Sequence, residues 1–176
     1  MVGAIPRVRV GIVQAVPFPG EPELNVKTGS KVPDFTAEGT QGPVSLSALK
    51  GTKVVIYFYP KDNTPGCTSE AGDFRDLHGD FVKAGAALFG VSRDSLRSHE
   101  GFRTKLGLPF DLLSDPDEAL CETFGVMKMK NMYGKQVRGI ERSTFLIDAS
   151  GHLVREWRGV KVAQHAADVL EAARAI

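Results

Sequence analysis

The chain has 176 residues, 42% of them hydrophobic and 24% charged, with a formal net charge of +1. That length suits one domain with a sizeable core, and the near-balanced charge gives no electrostatic footprint for nucleic acid or an anionic membrane. No apolar run approaches the roughly 18–20 residues that span a bilayer, and two cysteines, Cys67 and Cys121, are too few for a disulfide framework, so the expected location is the reducing cytoplasm.

Residues 1–25 read as an N-terminal extension of unassigned role, and residues 26–176 as one domain. Arg7 and Arg9 stand without an acidic residue up to Phe18, and Pro6 and Pro17 break the apolar pattern. Ile12-Val13-Gln14-Ala15-Val16 is too short for a secretory core. A transit peptide would suit the charge but would bring serines, which this stretch lacks. The plain expectation is a segment that adds a strand or stays mobile.

Phe35, Val44 and Leu46 flank the turn material Glu38-Gly39-Thr40-Gln41-Gly42-Pro43, which predicts a hairpin. Ser47 to Gly51 reads as one helical turn closed by glycine. Val54 to Tyr59 is apolar without alternation, as a central strand covered on both faces requires. Pro60 breaks it into a polar turn, and helix resumes at about Cys67. Ala71, Phe74, Leu77 and Phe81 then recur at three- and four-residue spacing, with Gly85 as the stop. Ala86 to Val91 is the next buried strand. Asp94 or Ser95 caps a helix that carries Leu96, Phe102 and Leu106 and closes at Gly107. Phe110 to Leu113 is a short strand. Asp115-Pro116-Asp117-Glu118 predicts a helix start, with Asp115 as N-cap, Pro116 at the first position and Glu118 closing a capping box. Leu120, Cys121 and Phe124 ride on that helix. Ile140 to Ile147 and His152 to Trp157 are strands joined across Asp148-Ala149-Ser150-Gly151. Ala163 to Ala175 is a closing amphipathic helix with Ala166, Val169, Leu170 and Ala173 inward. This order is thioredoxin-like α/β, a central mixed sheet flanked by helices.

Cys67 stands at the carboxyl end of a buried strand and the start of a helix. Free N–H groups and the positive dipole end there favour thiolate over thiol. A lone cysteine is ordinarily a small core hydrophobe, but one that follows Thr64-Pro65-Gly66 at a strand-to-helix turn is poorly placed for core packing. The string Tyr57-Phe58-Tyr59-Pro60-Lys61-Asp62-Asn63-Thr64-Pro65-Gly66-Cys67-Thr68-Ser69-Glu70 resembles the active-site segment of peroxiredoxins, Pro-x-x-x-Thr-x-x-Cys. It is most similar to their bacterioferritin comigratory protein (peroxiredoxin Q) branch. Gly139-Ile140-Glu141-Arg142-Ser143-Thr144-Phe145-Leu146-Ile147-Asp148 resembles the family's second signature. The likeness runs from about Val26 to the C-terminus and takes in Asn131-Met132-Tyr133-Gly134-Lys135 and Val160 to Ala166.

The resemblance implies a peroxiredoxin fold and a thiol-specific peroxidase acting on hydrogen peroxide and organic hydroperoxides. Cys67 would be the nucleophile, passing through a sulfenic acid. Pro60 would shield the thiolate and fix the turn, and Thr64 would donate to, or accept from, the peroxide. Arg142 matches the family's thiolate-stabilising arginine. An arginine in a strand amid apolar neighbours is costly unless paired, which points the same way. The backbone N–H groups of Gly66 and Cys67 are natural donors to peroxide oxygens. Gly66, Pro65 and Glu70 form the expected substrate-binding set. Glu70 has two readings, a bridge to Arg142 or a carboxylate favoured by the helix dipole.

One departure carries weight. Members of this branch place a resolving cysteine five residues after the nucleophile or in the following helix, where this chain has Gly72 and Arg103. The expectation is a one-cysteine (1-Cys) enzyme recycled by an external thiol, either thioredoxin, glutaredoxin or glutathione, working as a monomer or weak dimer. Cys121 reads as a buried structural thiol and is the one internal alternative, an atypical 2-Cys resolver. A disulfide to Cys67 would need the two Cα atoms within about 7 Å. Two rival classes stay open. One is a non-enzymatic redox-sensing module on the same fold. The other is a thiol–disulfide oxidoreductase, against which Thr64 stands where a Cys-x-x-Cys would begin. His78, His99, His152 and His165 show no metal-ligand spacing and are expected at the surface or at helix ends. No metal and no cofactor are expected.

Overall fold

The computed structural model describes residues 26–176, so the expectations for the N-terminal extension lie outside the described residues. The frame is a seven-stranded sheet. Its strands are β1 (Thr36–Gly39), β2 (Gly42–Ser45), β3 (Lys53–Phe58), β4 (Ala86–Ser92), β5 (Asp111–Ser114), β8 (Ser143–Ile147) and β9 (Leu153–Arg158). In space they run β2-β1-β5-β4-β3-β8-β9. β3 and β4 are parallel, as are β4 and β5, while β8 pairs antiparallel with β3, so the sheet is mixed.

β3 sits at the centre because its sequence has no polar side to offer solvent. Val54, Ile56 and Phe58 point into one buried cluster and Val55, Tyr57 and Tyr59 into another, one on each face of the sheet. Fully burying each such side chain contributes about 1.5–3 kcal/mol. The Tyr57 face is covered by α1 (Pro65–Lys83), α2 (Leu96–Leu106) and α4 (His165–Arg174), which supply Phe74, Phe102 and Val169. The Phe58 face is covered by α3 (Ala119–Thr123) and the β1–β2 hairpin, which supply Leu120 and Ala37. Gly90 on β4 makes the Tyr57 face fit: a Cβ there would lie 2.8 Å from the Tyr57 ring and from Leu112. No helix among the described residues is long and apolar enough to cross a membrane.

Most expected elements form where the residues place them. Ser95 caps α2 by accepting from the Ser98 N–H at 3.2 Å, and Gly107 closes it in the left-handed conformation. Ala166, Val169, Leu170 and Ala173 are the buried stripe of α4. Three expectations need correction.

The helix expected from Pro116 begins only at Ala119. Asp115 does reach the free N–H groups of its first turn, accepting from Leu120 at 3.1 Å and Cys121 at 2.8 Å. It does so across a turn that ends with Glu118 at φ 63, and the Glu118 carboxylate is drawn to Arg93 and Arg138 rather than into a capping box.

The strand expected from Ile140 to Ile147 is two strands broken at Glu141 and Arg142. Its first part is β7 (Lys135–Ile140), which pairs with β6 (Met127–Met132) in a separate two-stranded hairpin. That hairpin was not expected at all. Its two-residue turn, Tyr133-Gly134, takes φ 53 and 78, the left-handed pair that a tight hairpin turn uses.

His99 and His165, expected at the surface or at helix ends, lie in the first turns of α2 and α4 but are buried. His165 packs edge-on to Phe74 and Trp157, and its Nε2 lies 2.7 Å from Thr144 Oγ1.

Candidate active site

Tyr59 ends the parallel ladder, its N–H bonded to Val91 O at 3.0 Å. The chain then turns through half-buried Pro60 and reaches Asn63 at φ 62, a conformation that asparagine tolerates better than most residues. Thr64 is the N-cap of α1 with extended backbone, and exposed Pro65 takes the first helical position, where its missing N–H costs nothing. The first α-helical bond at this end runs from Thr68 N to Thr64 O at 2.9 Å. The Gly66 and Cys67 N–H groups precede it and have no intrahelical acceptor.

Cys67 therefore sits two residues inside the start of a 19-residue helix, 1% exposed. Arg142 comes to it from the break between β7 and β8. Its Nη2 lies 3.3 Å from Cys67 Sγ and its Nη1 2.7 Å from Glu70 Oε1. One guanidinium thus spans the sulfur and a carboxylate one helical turn further on. The break explains how: a residue inside the ladder alternates strictly between faces, whereas Glu141 and Arg142 lie between the two strands, held by Val126 O and the Val160 N–H, and Arg142 reaches over the helix start. Gly66 serves this approach, since a Cβ there would lie 3.2 Å from Arg142 Nη2. Its smoothness admits the guanidinium, where the sequence suggested access for substrate.

Glu70, expected among the substrate-binding residues, is 1% exposed and spends Oε1 on Arg142. Its Oε2 has no hydrogen-bond partner. Burial pushes this carboxyl up to about 7, against the pull of Arg142. Near neutrality Glu70 is thus divided between a neutral form, which leaves the guanidinium to Cys67, and an anion, which competes for it. Thr64 Oγ1 donates to Lys61 O at 2.8 Å. Its proton is committed, so of the two roles expected it is arranged to accept.

Sequence reasoning missed the support beneath the turn. Asp62 is buried, and its Oδ1 accepts from Tyr59 Oη at 2.7 Å. Its Oδ2 accepts from Ser98 Oγ at 2.8 Å and faces His99 Nδ1 at 2.8 Å. His99 Nε2 donates to Leu113 O at 2.9 Å. Burial alone would raise the Asp62 carboxyl, but hydrogen bonds from His99, Tyr59 and Ser98 outweigh it and hold Asp62 below the usual carboxylate range. The turn carrying Pro60 and Thr64 is in this way pinned to α2 and β5. The available signal was His99 three residues before Phe102, on the same helical face. Asp62, Asp94 and His99 bring ligand-type atoms within 4.8 Å of one another. Those atoms are already taken up by Ser98, Ser92, Tyr59 and the Asp62 N–H, so the cluster satisfies itself without a metal.

Cys121 is not brought to this site. It belongs to the cluster on the opposite face of the sheet, fully buried among Leu120, Phe124 and Val126. Burial pushes its thiol far up, and the Asp115 carboxylate pushes it further.

Comparison with known proteins gives a consistent result. The AhpC/TSA family matches residues 28–156. The chain is 59% identical over 137 residues to the peroxiredoxin Bcp of Xanthomonas campestris, covering 78% of this chain and 84% of that one. It is 50% identical over 149 residues to the peroxiredoxin Bcp of Bacillus subtilis, covering 84% and 95%. Among solved structures it is similar, at a TM-score of 0.77 and 55% identity over 80% of this chain and 90% of that one, to the bacterioferritin comigratory protein of Xanthomonas campestris in work on its alkyl peroxide reduction.

Proposed function

Because the chain belongs to the AhpC/TSA family and is a peroxiredoxin of the Bcp/peroxiredoxin Q type, a thiol-dependent peroxidase, we propose that Cys67 is its peroxidatic cysteine and that an external thiol completes the cycle. The observation that carries this reading is the Arg142 guanidinium 3.3 Å from Cys67 Sγ at the start of α1.

The Cys67 thiolate attacks one oxygen of the hydroperoxide. A sulfur–oxygen bond forms as the oxygen–oxygen bond breaks, and the second oxygen leaves with its electron pair and takes a proton, as water or an alcohol. Arg142 and the Gly66 and Cys67 N–H groups are aimed where negative charge sits before and during this step. Such preorganised donors are worth about 10²–10³ in rate each. Thr64 Oγ1 accepts the hydroperoxide O–H and so orients it, while Pro60 and Pro65 shape the turn. Cys67 is left as a sulfenic acid. An external thiol condenses with it, releasing water and forming a mixed disulfide, and a second thiol displaces Cys67 as a free thiol.

The 1-Cys reading is supported by the positions of the two thiols. They lie in clusters on opposite faces of β3 and its neighbours. A disulfide between them requires the sheet or α3 to open, because the Cα atoms of a bridge lie about 4.4–6.8 Å apart. Thioredoxin, glutaredoxin or glutathione remains the proposed source of electrons. The test is steady-state peroxide consumption with each reductant. Cys67→Ser abolishes turnover and Cys121→Ser leaves it within about twofold of wild type, since a buried thiol-to-hydroxyl change away from the site perturbs stability more than chemistry. Turnover lost in both variants contradicts the 1-Cys reading.

A further inference from the structure

The β6–β7 hairpin stands apart from the seven-stranded sheet and is the least explained part of the described molecule. Between Met127 and Ile140 it carries Lys128, Lys130, Lys135 and Arg138 and no acidic residue, in a chain whose net charge is only +1. It also carries four of the six large hydrophobic side chains exposed among the described residues: Met129, Met132, Tyr133 and Val137. Tyr133, at the turn, is fully exposed at 101%. Apolar groups left in solvent beside unneutralised lysines mark a surface made to be covered.

The two faces of the hairpin differ. Register places Met127 opposite Ile140 and Met129 opposite Arg138 on one face. On that face Ile140 is buried in the core and Arg138 pairs with Glu118 and Glu122 beside α3, while Met129 stays exposed. The other face holds Lys128, Lys130 and Met132 opposite Gly139, Val137 and Lys135. Lys128 and Lys135 have no ion pair among the described residues, and Met132 and Val137 are exposed. Lys130 donates to Ile140 O, two residues before Arg142, whose guanidinium touches Cys67 Sγ. This face is thus joined to the reactive sulfur through Arg142, two residues beyond the end of β7.

We propose that the Lys128–Lys130–Met132–Lys135–Val137 face of the hairpin is the docking surface on which a reductant protein of the thioredoxin class, one of the three named above, brings an acidic rim and presents its thiol. The inference rests on the peroxidatic assignment of Cys67 above and adds where its electrons arrive. A tripeptide thiol would use one or two of the lysines and leave Met132, Val137 and Tyr133 without purpose. A protein whose thiol is ringed by apolar side chains with carboxylates beyond matches both the charges and the apolar groups. Complementary charge of this kind acts mainly on the association rate and weakens with salt.

The experiment compares two reductants, reduced thioredoxin and the small neutral dithiol dithiothreitol, on wild type, Lys128→Glu/Lys135→Glu and Met132→Ser/Val137→Ser. Cys67 oxidation in a single turnover without reductant is read separately, so that failure of the peroxidatic assignment shows there, as an unoxidised wild type. The expected result is a loss of about tenfold or more in kcat/KM for thioredoxin in the charge-reversal variant, with a flattened salt dependence. The apolar variant shows a smaller loss, and dithiothreitol turnover and Cys67 oxidation stay unchanged in both. Three results overturn the proposal: thioredoxin kinetics unchanged in both variants, wild type turned over by dithiothreitol but not by thioredoxin, or equal losses with both reductants. A wild-type dimer that the variants dissociate with thioredoxin kinetics intact also overturns it, because the face would then belong to a second copy of the chain.

Discussion

Cys67 and Cys121 are almost equally inaccessible, at 1% and 0% exposure, yet the two faces of the sheet give them opposite chemistry. Cys67 meets a helix start and the Arg142 guanidinium, with the competing carboxylate, Glu70, pushed up to about 7 by its own burial. Cys121 meets apolar side chains and the Asp115 carboxylate, and its thiol is pushed far up. On the proposed assignment, burial of Cys67 is offset by the helix start and the guanidinium, whereas burial of Cys121 is offset by nothing of the kind and is reinforced by Asp115. The charges themselves come from segments distant in sequence: Arg142 lies 75 residues after Cys67.

The largest expected effect removes the charge that defines the Cys67 side. Arg142→Gln slows oxidation of Cys67 by hydrogen peroxide by on the order of 10³, about 4 kcal/mol, measured by stopped flow, while thermal unfolding changes far less. A loss under tenfold would break the comparison. Next comes the support under the turn. His99→Gln leaves buried Asp62 without its ring-nitrogen partner and costs about 1–3 kcal/mol of stability by denaturant titration. It also slows Cys67 oxidation, because Pro60 and Thr64 lose their anchor.

The pH dependence of stability sharpens the picture further. Glu70 is raised from its ordinary 4.5 to about 7, so its contribution is complete below pH 4.5 and is lost as pH rises through 7. His165, buried beside Thr144, is lowered from its ordinary 6.5 to about 4. Its contribution is complete above pH 6.5 and is lost as pH falls through 4. Each shift corresponds to about 3 kcal/mol, and between pH 4.5 and 6.5 the two slopes oppose each other. Glu70→Gln uncovers a stability that rises with pH across that window, and His165→Gln one that falls. Parallel curves for wild type and both variants would contradict these assignments. The smallest effect is on the Cys121 side. Asp115→Asn costs about 1 kcal/mol, because one of the two oxygens that accept from the Leu120 and Cys121 N–H groups is lost. Cys121 stays resistant to alkylation in the folded protein, because burial is the first cause of its inertness and remains in place.

Much of this was legible in the residues and some was not, for identifiable reasons. β3 announced itself because Val54 to Tyr59, six successive residues, had no polar side to show. Cys67, Thr64 and Pro60 were legible because a strand, a proline-broken turn and a helix start are contiguous in sequence. Arg142 was legible as a residue but not as a geometry. Reading Ile140 to Ile147 as one strand hid the break that frees the arginine, and with it the role of Gly66. The β6–β7 hairpin was hidden by its lysines, although Met127-Lys128-Met129-Lys130 alternates with the period of a strand and Tyr133-Gly134 can supply its turn. Asp62 looked like one more polar turn residue, and His99 like a surface or helix-end histidine. Their partnership spans 37 residues and is set by how α2 packs, which local pattern does not encode. At Asp115 the capping logic was sound but the count was wrong, because the carboxylate reaches its N–H partners across an intervening turn.

The central claim is that Cys67 reacts with peroxide while Cys121 takes no part, and intact-protein mass spectrometry with peptide mapping addresses it most directly. Wild type and Cys121→Ser are each treated with one equivalent of hydrogen peroxide in the absence of reductant. The account predicts the gain of one oxygen on Cys67 in both proteins. Loss of two hydrogens in wild type alone, with Cys67 and Cys121 joined in one peptide pair, would contradict it and make Cys121 the resolver.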